Sequence, residues 1–521
     1  LSEQEHEEVN DLDTQSEIMR SDEALNEKMD QDVLQLLADQ KVAVFIVAYN
    51  AEKHIESVIE RVPYWVRCRL AEIYVIDDSS SDDTFGVAKR LAAREDLSLN
   101  IYRTPYNQGY GGNQILGYQH AIERGHDIVV LLHGDGQYAP EELPNILKPY
   151  VDSSVGAVFG SRFLSKGKAL EGGMPKYKFF GNRVLTWWQN LLLGAKLSEM
   201  HSGYRSYRMS GMKKVPFAFN SKGFDFDADI IIQWIEAGER IVEVPIPTFY
   251  GDEICHVNGI QYAYRCIRAC AINLLMKVEL FYDPKFDLSH LKPSIQRRGK
   301  SPYGMEAYVK NLAAQEDGEV LFIHRGSGDD RHLSEGLKSV ASIIEMEIDS
   351  RGEVMRCGGS PTQVQGGEYK AVLAPDLIEH LGEPEITMSS IFQLTQRHGV
   401  VLFGVSNVAF FPIRLMLLIG SFNYGRRGIL DMSHHRLFTR KSIRRLAQYH
   451  GFELEEIMSF GVPLSDLLPH MFGVKILEQM GHFLAKICPS LFAYQIMLKC
   501  RRTLSPLELM DNTFTENEAS K

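Results

Sequence analysis

The stretch Leu131-Leu132-His133-Gly134-Asp135-Gly136-Gln137-Tyr138 carries the reading of the fold. An unbroken apolar run over 128–132 drives into an Asp-Gly-Gln turn, the pattern of a buried parallel strand that ends at a ligand site. A carboxylate and an amide oxygen on such a turn, here Asp135 and Gln137, can hold a divalent cation against a diphosphate, because hard cations prefer oxygen ligands. Asp-Gly is also an ordinary turn pair, so the string alone is modest evidence.

Other strand ends repeat the pattern. The run 42–48 ends in Tyr49-Asn50-Ala51-Glu52, and 73–76 ends in Asp77-Asp78-Ser79-Ser80-Ser81-Asp82-Asp83. Asn107-Gln108-Gly109-Tyr110-Gly111-Gly112-Asn113 and a helix precede the Asp135 strand, and 155–159 leads to Gly160-Ser161-Arg162-Phe163. Short apolar runs alternate with helical patterns across 41–250, which predicts an α/β domain with a doubly wound, mainly parallel sheet. Helices are expected at 52–61, 83–93, after Gly112, near Pro140, and at 182–193, 226–237 and 262–281. The last carries Arg265, Arg268 and Lys277, and suits either a membrane surface or packing between domains. The glycines at 109, 111 and 112 allow a sharp turn or a close backbone approach to a ligand.

This ordered set resembles the family 2 glycosyltransferases, and within them the branch of polyprenyl-phosphate sugar transferases such as dolichol-phosphate mannose synthase. The resemblance covers residues 41–282. It implies a GT-A (Rossmann-like) fold and an inverting transfer from a nucleotide sugar to a polyprenyl phosphate or glycan acceptor in cell-surface glycan synthesis. It sets Tyr49, Glu52, Asp77 and Asp78 on the nucleotide side, with one acid of the Asp77-Asp78 pair expected to be functional. Asp135 and Gln137 are expected to hold Mg²⁺ or Mn²⁺. The family has two acids flanking one residue here, and His133 takes the first place. Imidazole can bind Mn²⁺ but suits Mg²⁺ poorly, so His133 is either a further ligand or a shaper of the loop.

On the acceptor side, Glu199, Ser202, Arg162, Arg205 and Asp227 carry over. Arg162 and Arg205 match arginines that contact phosphate in the lipid-phosphate branch, and a guanidinium fork suits phosphate geometry. A phosphate acceptor needs no general base. A hydroxyl acceptor does, and Asp227 or Glu199 is the available carboxylate. The bland alternative pairs Arg205 with Glu199 within one loop.

The second half resembles a class I S-adenosylmethionine-dependent methyltransferase, over roughly 305–498. Gly326-Ser327-Gly328 follows a strand, and Asp349 ends the next; the resemblance implies cofactor binding at Gly326, Gly328 and Asp349. Leu377-Ile378-Glu379-His380-Leu381 and Asp431-Met432-Ser433-His434-His435-Arg436-Leu437-Phe438-Thr439 match the same family. Phe322, His324, Arg325 and Ala374-Pro375 depart from it with bulky or apolar groups where the cofactor's backbone cradle belongs. The expectation is therefore a methyltransferase-like fold serving as scaffold or docking domain, with S-adenosylmethionine bound weakly or not at all. A bifunctional glycosyltransferase/methyltransferase and an inactive nucleotide-sugar-binding or assembly subunit are the alternatives.

Composition frames these readings. A chain of 521 residues exceeds one core and predicts two or three domains. The expected division is an acidic extension at 1–40, a glycosyltransferase domain at 41–282, a Pro- and Arg-rich linker at 283–303, a methyltransferase-like domain at 304–505 and a tail at 506–521. Of the net charge of −12, residues 1–40 carry −11, so the remainder is nearly neutral and offers no basic face for nucleic acid. Seven cysteines without a Cys-x-x-Cys pair fit a reducing compartment. The acidic opening shows no secretory leader, so a cytoplasmic location is expected, with peripheral contact at the inner membrane face. The apolar stretch 400–422 contains Asn407, Pro412 and Arg414 and reads as strand, loop and helix rather than a span.

Overall fold

The strands expected from the apolar runs all form. The computed structural model describes residues 30–94, 98–165, 168–247, 258–288, 290–291, 305–315, 319–325, 328–350, 354–357, 369–469 and 471–503. The chain divides into two units. One runs to Ala271 and includes Pro284–Leu291; the other holds Ile272–Asp283 and the chain from Lys292.

In the first unit, β1 (Val42–Ala48), β2 (Glu72–Asp77), β3 (Leu99–Arg103), β4 (Ile128–His133), β5 (Val155–Ser161), β6 (Arg205–Arg208) and β7 (Arg240–Pro245) stand in the order β3-β2-β1-β4-β6-β5-β7. Every pairing is parallel except those of β6, which enters antiparallel between β4 and β5. β2 and β5 are buried along their whole length, as continuous apolar runs covered on both faces must be. Strand order reverses at β1, with β2 on one side and β4 on the other, which opens a crevice at the carboxyl ends. Register places Ala48 beside Asp77, Val47 beside His133 and Leu131 beside Arg205. The strand-end motifs therefore share one edge of the sheet.

Two boundaries differ from expectation. The helix Gln31–Asp39, capped by Asp30, buries Val33, Leu36 and Leu37 in the core of the first unit, so the last part of the acidic extension expected at 1–40 belongs to that unit. The rest of that arm, 1–29, lies outside the described residues, as does the whole of the tail 506–521. The start of the expected linker is packed as well. Phe286 is buried, Lys285 Nζ lies 2.9 Å from Asp229 Oδ1, and Gln233 Nε2 donates to the Lys285 carbonyl at 2.6 Å. The reason is charge: Asp229 is fully buried in the helix Phe226–Ala237 and requires a cation beside it. The helix expected from 182 begins at Lys176, and the one expected over 262–281 is Gly259–Lys277.

The second unit contains β8 (Glu319–His324), β9 (Ser342–Ile348), β10 (Val354–Cys357), β11 (Tyr369–Ala374), β12 (Thr395–Ser406), β13 (Phe452–Phe460) and β14 (Gln495–Arg502), in the order β10-β9-β8-β11-β12-β14-β13. β8, β9, β11 and β12 are parallel, while β14 is antiparallel to both its neighbours and β10 to β9. Strand order reverses again, at β8. The stretch 400–422 divides into the end of β12, a loop and the helix Phe411–Leu418. No helix among the described residues is long and apolar enough to cross a membrane.

At the amino edge of the first sheet, Glu72 opens β2 with its carboxylate buried. Burial alone would raise its pKa, but His126 at 2.7 Å, Asn100 at 2.7 Å and His120 at 3.2 Å outweigh that and hold it at about 2. A carboxyl depressed on folding stabilises the protein above its unfolded value of 4.5, and that contribution drains as pH falls toward about 2. Glu72→Gln should therefore lower the urea midpoint at about pH 7, and the gap from wild type should narrow by about pH 3. A gap that stays constant with pH would refute the assignment.

Candidate active site

Two loops at the β1 and β2 ends lace together. Asn50, in the left-handed region at φ 51°, donates its amide to Ser80 Oγ at 2.9 Å and accepts from Ser81 N at 2.9 Å. Asp77 accepts from Ser80 N at 3.2 Å and from Ser80 Oγ, and its other oxygen lies 3.4 Å from Arg103 Nε. Asp78 accepts from Gln108 N at 2.8 Å, Gly109 N at 2.9 Å and Thr104 Oγ1 at 3.0 Å. Both acids are buried and hold loops, and neither caps the following helix Thr84–Ala92. Glu52 accepts from Asp83 N, while Tyr49 is exposed beside them. The Gly109–Gly112 loop approaches other backbone: a Cβ on Gly111 would stand 2.2 Å from the Ser221 carbonyl oxygen.

β4 delivers His133 and the Asp135 turn. Asp135 is exposed; one carboxylate oxygen accepts from Gln137 N at 3.0 Å, and Gly136 turns the chain at φ 76°. An exposed carboxylate beside an amide side chain fits a hard cation that takes its remaining ligands from phosphate and water. His133 points elsewhere. Its Nε2 meets the Tyr110 hydroxyl at 3.2 Å, and that hydroxyl donates to Asp227 Oδ2 at 3.1 Å. The shared hydroxyl must then accept from His133, so Nε2 carries the proton and is closed to a metal. His133 shapes the loop. Its ring packs edge-on to Tyr138, and Gly203 leaves room for it, since a Cβ there would lie 2.5 Å from Nε2. Burial lowers the pKa of His133, against the opposing pull of Asp135 and Asp227.

Asp227 lies in the first turn of the helix Phe226–Ala237 and is nearly buried. Besides Tyr110 it accepts from Gln114 Nε2 at 3.2 Å and faces Arg205 Nη1 at 3.5 Å. Arg205 is fully buried. It donates to the carbonyls of Ser202 at 2.6 Å, Met200 at 2.9 Å and Asp227 at 3.2 Å, and lies over the Phe159 ring. Arg162, at the β5 end, meets Glu199 through its backbone N at 2.7 Å, Nε at 2.9 Å and Nη2, and donates to the His201 carbonyl at 3.2 Å. His201 Nδ1 pairs with the Tyr262 hydroxyl at 2.9 Å, and burial beside Arg205 and Arg162 pushes its pKa down to about 3.

These contacts correct the expected pairings. Glu199 pairs with Arg162, not Arg205, and is thereby withdrawn as a base. Neither arginine presents its fork to solvent, because a buried guanidinium demands its donors be met inside. Ser202 gives its carbonyl to Arg205, while its hydroxyl accepts from Tyr204 N at 3.3 Å within the loop. Tyr110, Gln114 and Tyr138 were not singled out by sequence. The signal available was the i, i+4 spacing of Tyr110 and Gln114, which puts both on one helix face toward Asp227. In the second unit, Gly328 begins the helix Gly328–Lys338 and Asp349 follows β9, while Gly326 lies outside the described residues. Phe322 is buried at the end of β8 and stacks on His324 at 5.1 Å.

Residues 43–215 match the profile of glycosyl transferase family 2. An undecaprenyl-phosphate mannosyltransferase of Micrococcus luteus is 32% identical over 189 residues, 35% of this chain and 74% of that protein. A polyprenol monophosphomannose synthase of Mycolicibacterium smegmatis is 29% identical over 208 residues, 40% of this chain and 77% of its own. The low-salt glycan biosynthesis hexosyltransferase Agl6 of Haloferax volcanii is 29% identical over 312 residues, 57% and 67% of the two chains.

The two kinds of ion pair in this unit predict different costs. Glu199→Ala leaves Arg162 buried without its counter-ion and should cost about 3–5 kcal/mol in urea unfolding. Glu141→Ala removes the exposed partner of Arg61 and should cost less than about 1 kcal/mol. Similar losses for the two would contradict the buried-pair account.

Proposed function

This chain belongs to glycosyl transferase family 2, and we propose that it moves a sugar from a nucleotide-sugar donor to a polyprenyl phosphate in the synthesis of a cell-surface glycan. The first unit is a GT-A-like glycosyltransferase domain. The observation that carries the reading is the division of the sheet edge into a solvent-facing acid, Asp135, and a buried polar network of Asp227, Arg205, Tyr110 and Gln114 behind it. Family membership and the lipid-phosphate relatives support the acceptor class.

Asp135, with Gln137 beside it, would hold Mg²⁺ or Mn²⁺; the cation supplies charge stabilisation to the departing diphosphate. Tyr49 and the laced Asn50–Ser81 and Asp78–Gly109 loops border the nucleotide side. Asp227 is committed to Tyr110, Gln114 and Arg205, which leaves it poorly placed to take a proton from a hydroxyl. That favours a phosphate acceptor, which arrives ionised. Arg162 and Arg205 act from beneath, keeping the Glu199–Tyr204 loop in place through Glu199 and the loop carbonyls.

Peripheral membrane contact fits the surface. The helix Lys176–Leu193 exposes Tyr177, Phe180, Val184, Trp187 and Leu191 at helical spacing, with Tyr177 at 75% and Trp187 at 58% exposure, and carries exposed Lys176 and Arg183. An exposed aromatic stripe with flanking cations suits a bilayer interface. The second unit we read as a class I methyltransferase-like scaffold, with Phe322 and His324 filling the strand end where a cofactor would need backbone access.

Three outcomes test the proposal. Nucleotide sugar should raise the melting temperature only with Mn²⁺ or Mg²⁺ present, and Asp135→Ala should abolish that gain and cut transfer by roughly 10²–10³-fold; full transfer in excess chelator would sink the cation assignment. Asp227→Asn, checked for intact donor binding, should lower turnover less than about 10²-fold, whereas a larger loss would point to a hydroxyl acceptor and a base. Trp187→Ser with Phe180→Ser should reduce sedimentation with anionic vesicles while leaving donor binding intact; unchanged sedimentation would exclude this helix as the contact.

A further inference from the structure

We propose that the second unit carries a transition-metal site of its own, built by Glu379, His380 and His434. The three offer ligand atoms that all lie within 4.8 Å of one another, and among the described residues they form the one such cluster of His, Cys, Asp and Glu. All three side chains are removed from solvent or nearly so.

The hydrogen bonds decide which atoms face the cluster. His434 Nδ1 lies 3.0 Å from the Ile429 carbonyl oxygen, and a carbonyl only accepts, so Nδ1 carries a proton and Nε2 is the nitrogen that offers a lone pair in the neutral ring. That lone pair lies 3.3 Å from Glu379 Oε1. His380 repeats the arrangement: Nδ1 faces the Ser433 carbonyl at 3.2 Å and its hydroxyl at 3.1 Å, which leaves Nε2 as the ligand atom. Metal-binding histidines give their other ring N–H to a carbonyl, carboxylate or water in this way, which fixes the ring and its tautomer.

Two imidazole nitrogens and the buried oxygens of Glu379 therefore converge on one point. Asp376, held at φ 95°, brings a second carboxyl into hydrogen-bond contact with Glu379, one of the two carrying the proton, and Arg325 and His434 both act on His380. A divalent ion would relieve this electron-rich convergence. His434 Nε2 and Glu379 Oε1, 3.3 Å apart, already stand near the edge of about 3.4 Å that bonds of about 2.0–2.2 Å set on a tetrahedron. Imidazole pairs with a carboxylate favour Zn²⁺ or another first-row transition ion over Mg²⁺ or Ca²⁺.

The frame is fixed from several sides. Glu379 accepts from Ser406 N at 2.6 Å and Ser406 Oγ at 3.0 Å, and its carbonyl accepts from His435 N at 2.9 Å and Arg436 N at 3.1 Å. The turn Ile378–His380 follows β11, and Ser406 ends β12. The cluster thus sits at the carboxyl ends of the parallel strands, beside the reversal at β8, where an α/β sheet binds ligands. With three protein ligands, the ion keeps a position open for water or a substrate oxygen, as a catalytic rather than a purely structural site does.

Full-length protein carrying Asp135→Ala, stripped by chelator, separates this site from any cation in the first unit. Titrated with Zn²⁺ in a calorimeter it should bind one equivalent, and Co²⁺ should give the visible absorption of low-coordinate, imidazole-ligated cobalt. Adding His380→Gln or His434→Gln should weaken Zn²⁺ binding at least tenfold and erase the cobalt bands, while His435→Gln, at the exposed neighbour, leaves both unchanged. Far-ultraviolet dichroism and metal-free melting confirm that each variant folds; if His434→Gln does not, His380→Gln decides. Absence of Zn²⁺ binding in the Asp135→Ala chain, or binding indifferent to both histidines, would overturn the proposal. Neither result bears on sugar transfer, which is measured separately.

Discussion

Arg205 is the constraint on which the first unit is built. It opens a short antiparallel strand between two parallel ones and is shut away from water, so each guanidinium donor must find an acceptor inside or the fold loses several kcal/mol. The carbonyls of Met200, Ser202 and Asp227 and the Asp227 carboxylate meet that demand. In doing so they draw the loop before β6 and the first turn of the helix Phe226–Ala237 to the sheet edge where β4 ends. Tyr110 and Gln114 close the network from a third element.

A second buried pair, Arg162 with Glu199, fastens the same loop to β5. The site is therefore rigid at the rear and open at the front. Charges behind are consumed by one another, whereas Asp135 keeps a carboxylate toward solvent on a glycine turn. Such a division suits a reaction in which a cation and a charged leaving group assemble at the surface of a preorganised wall. The exposed pairs elsewhere, such as Arg61 with Glu141, have no comparable hold on the structure.

The second unit repeats the architectural logic with different occupants. Its strand order also reverses near the centre, but the first strand ends in stacked Phe322 and His324 rather than open backbone. Polar character moves instead to the turn after β11 and the 431–436 loop, which the backbone bonds of Glu379 tie together.

The sequence by itself determined the α/β class, the positions of the long apolar strands such as β1, β2, β4 and β5, and the loops that carry polar groups, but not the shorter β3, β6 and β7. It did so because a buried strand must be a contiguous apolar run and its end must carry whatever meets water or ligand; both are local properties. Asp135, Gln137 and the Asp77-Asp78 pair were legible on that ground. Only the tertiary structure decided the partners. Arg162 meets Glu199 across 37 residues and Tyr110 meets Asp227 across 117, separations set by strand order and by the antiparallel entry of β6. The same holds for Pro284–Leu291, which reads as linker until the buried Asp229 claims it, whereas Gln31–Asp39 carries its own local apolar stripe of Val33, Leu36 and Leu37. Periodicity is written in neighbouring residues. Neutralising a buried charge is a question of what the fold brings beside it, and no short stretch of sequence contains the answer.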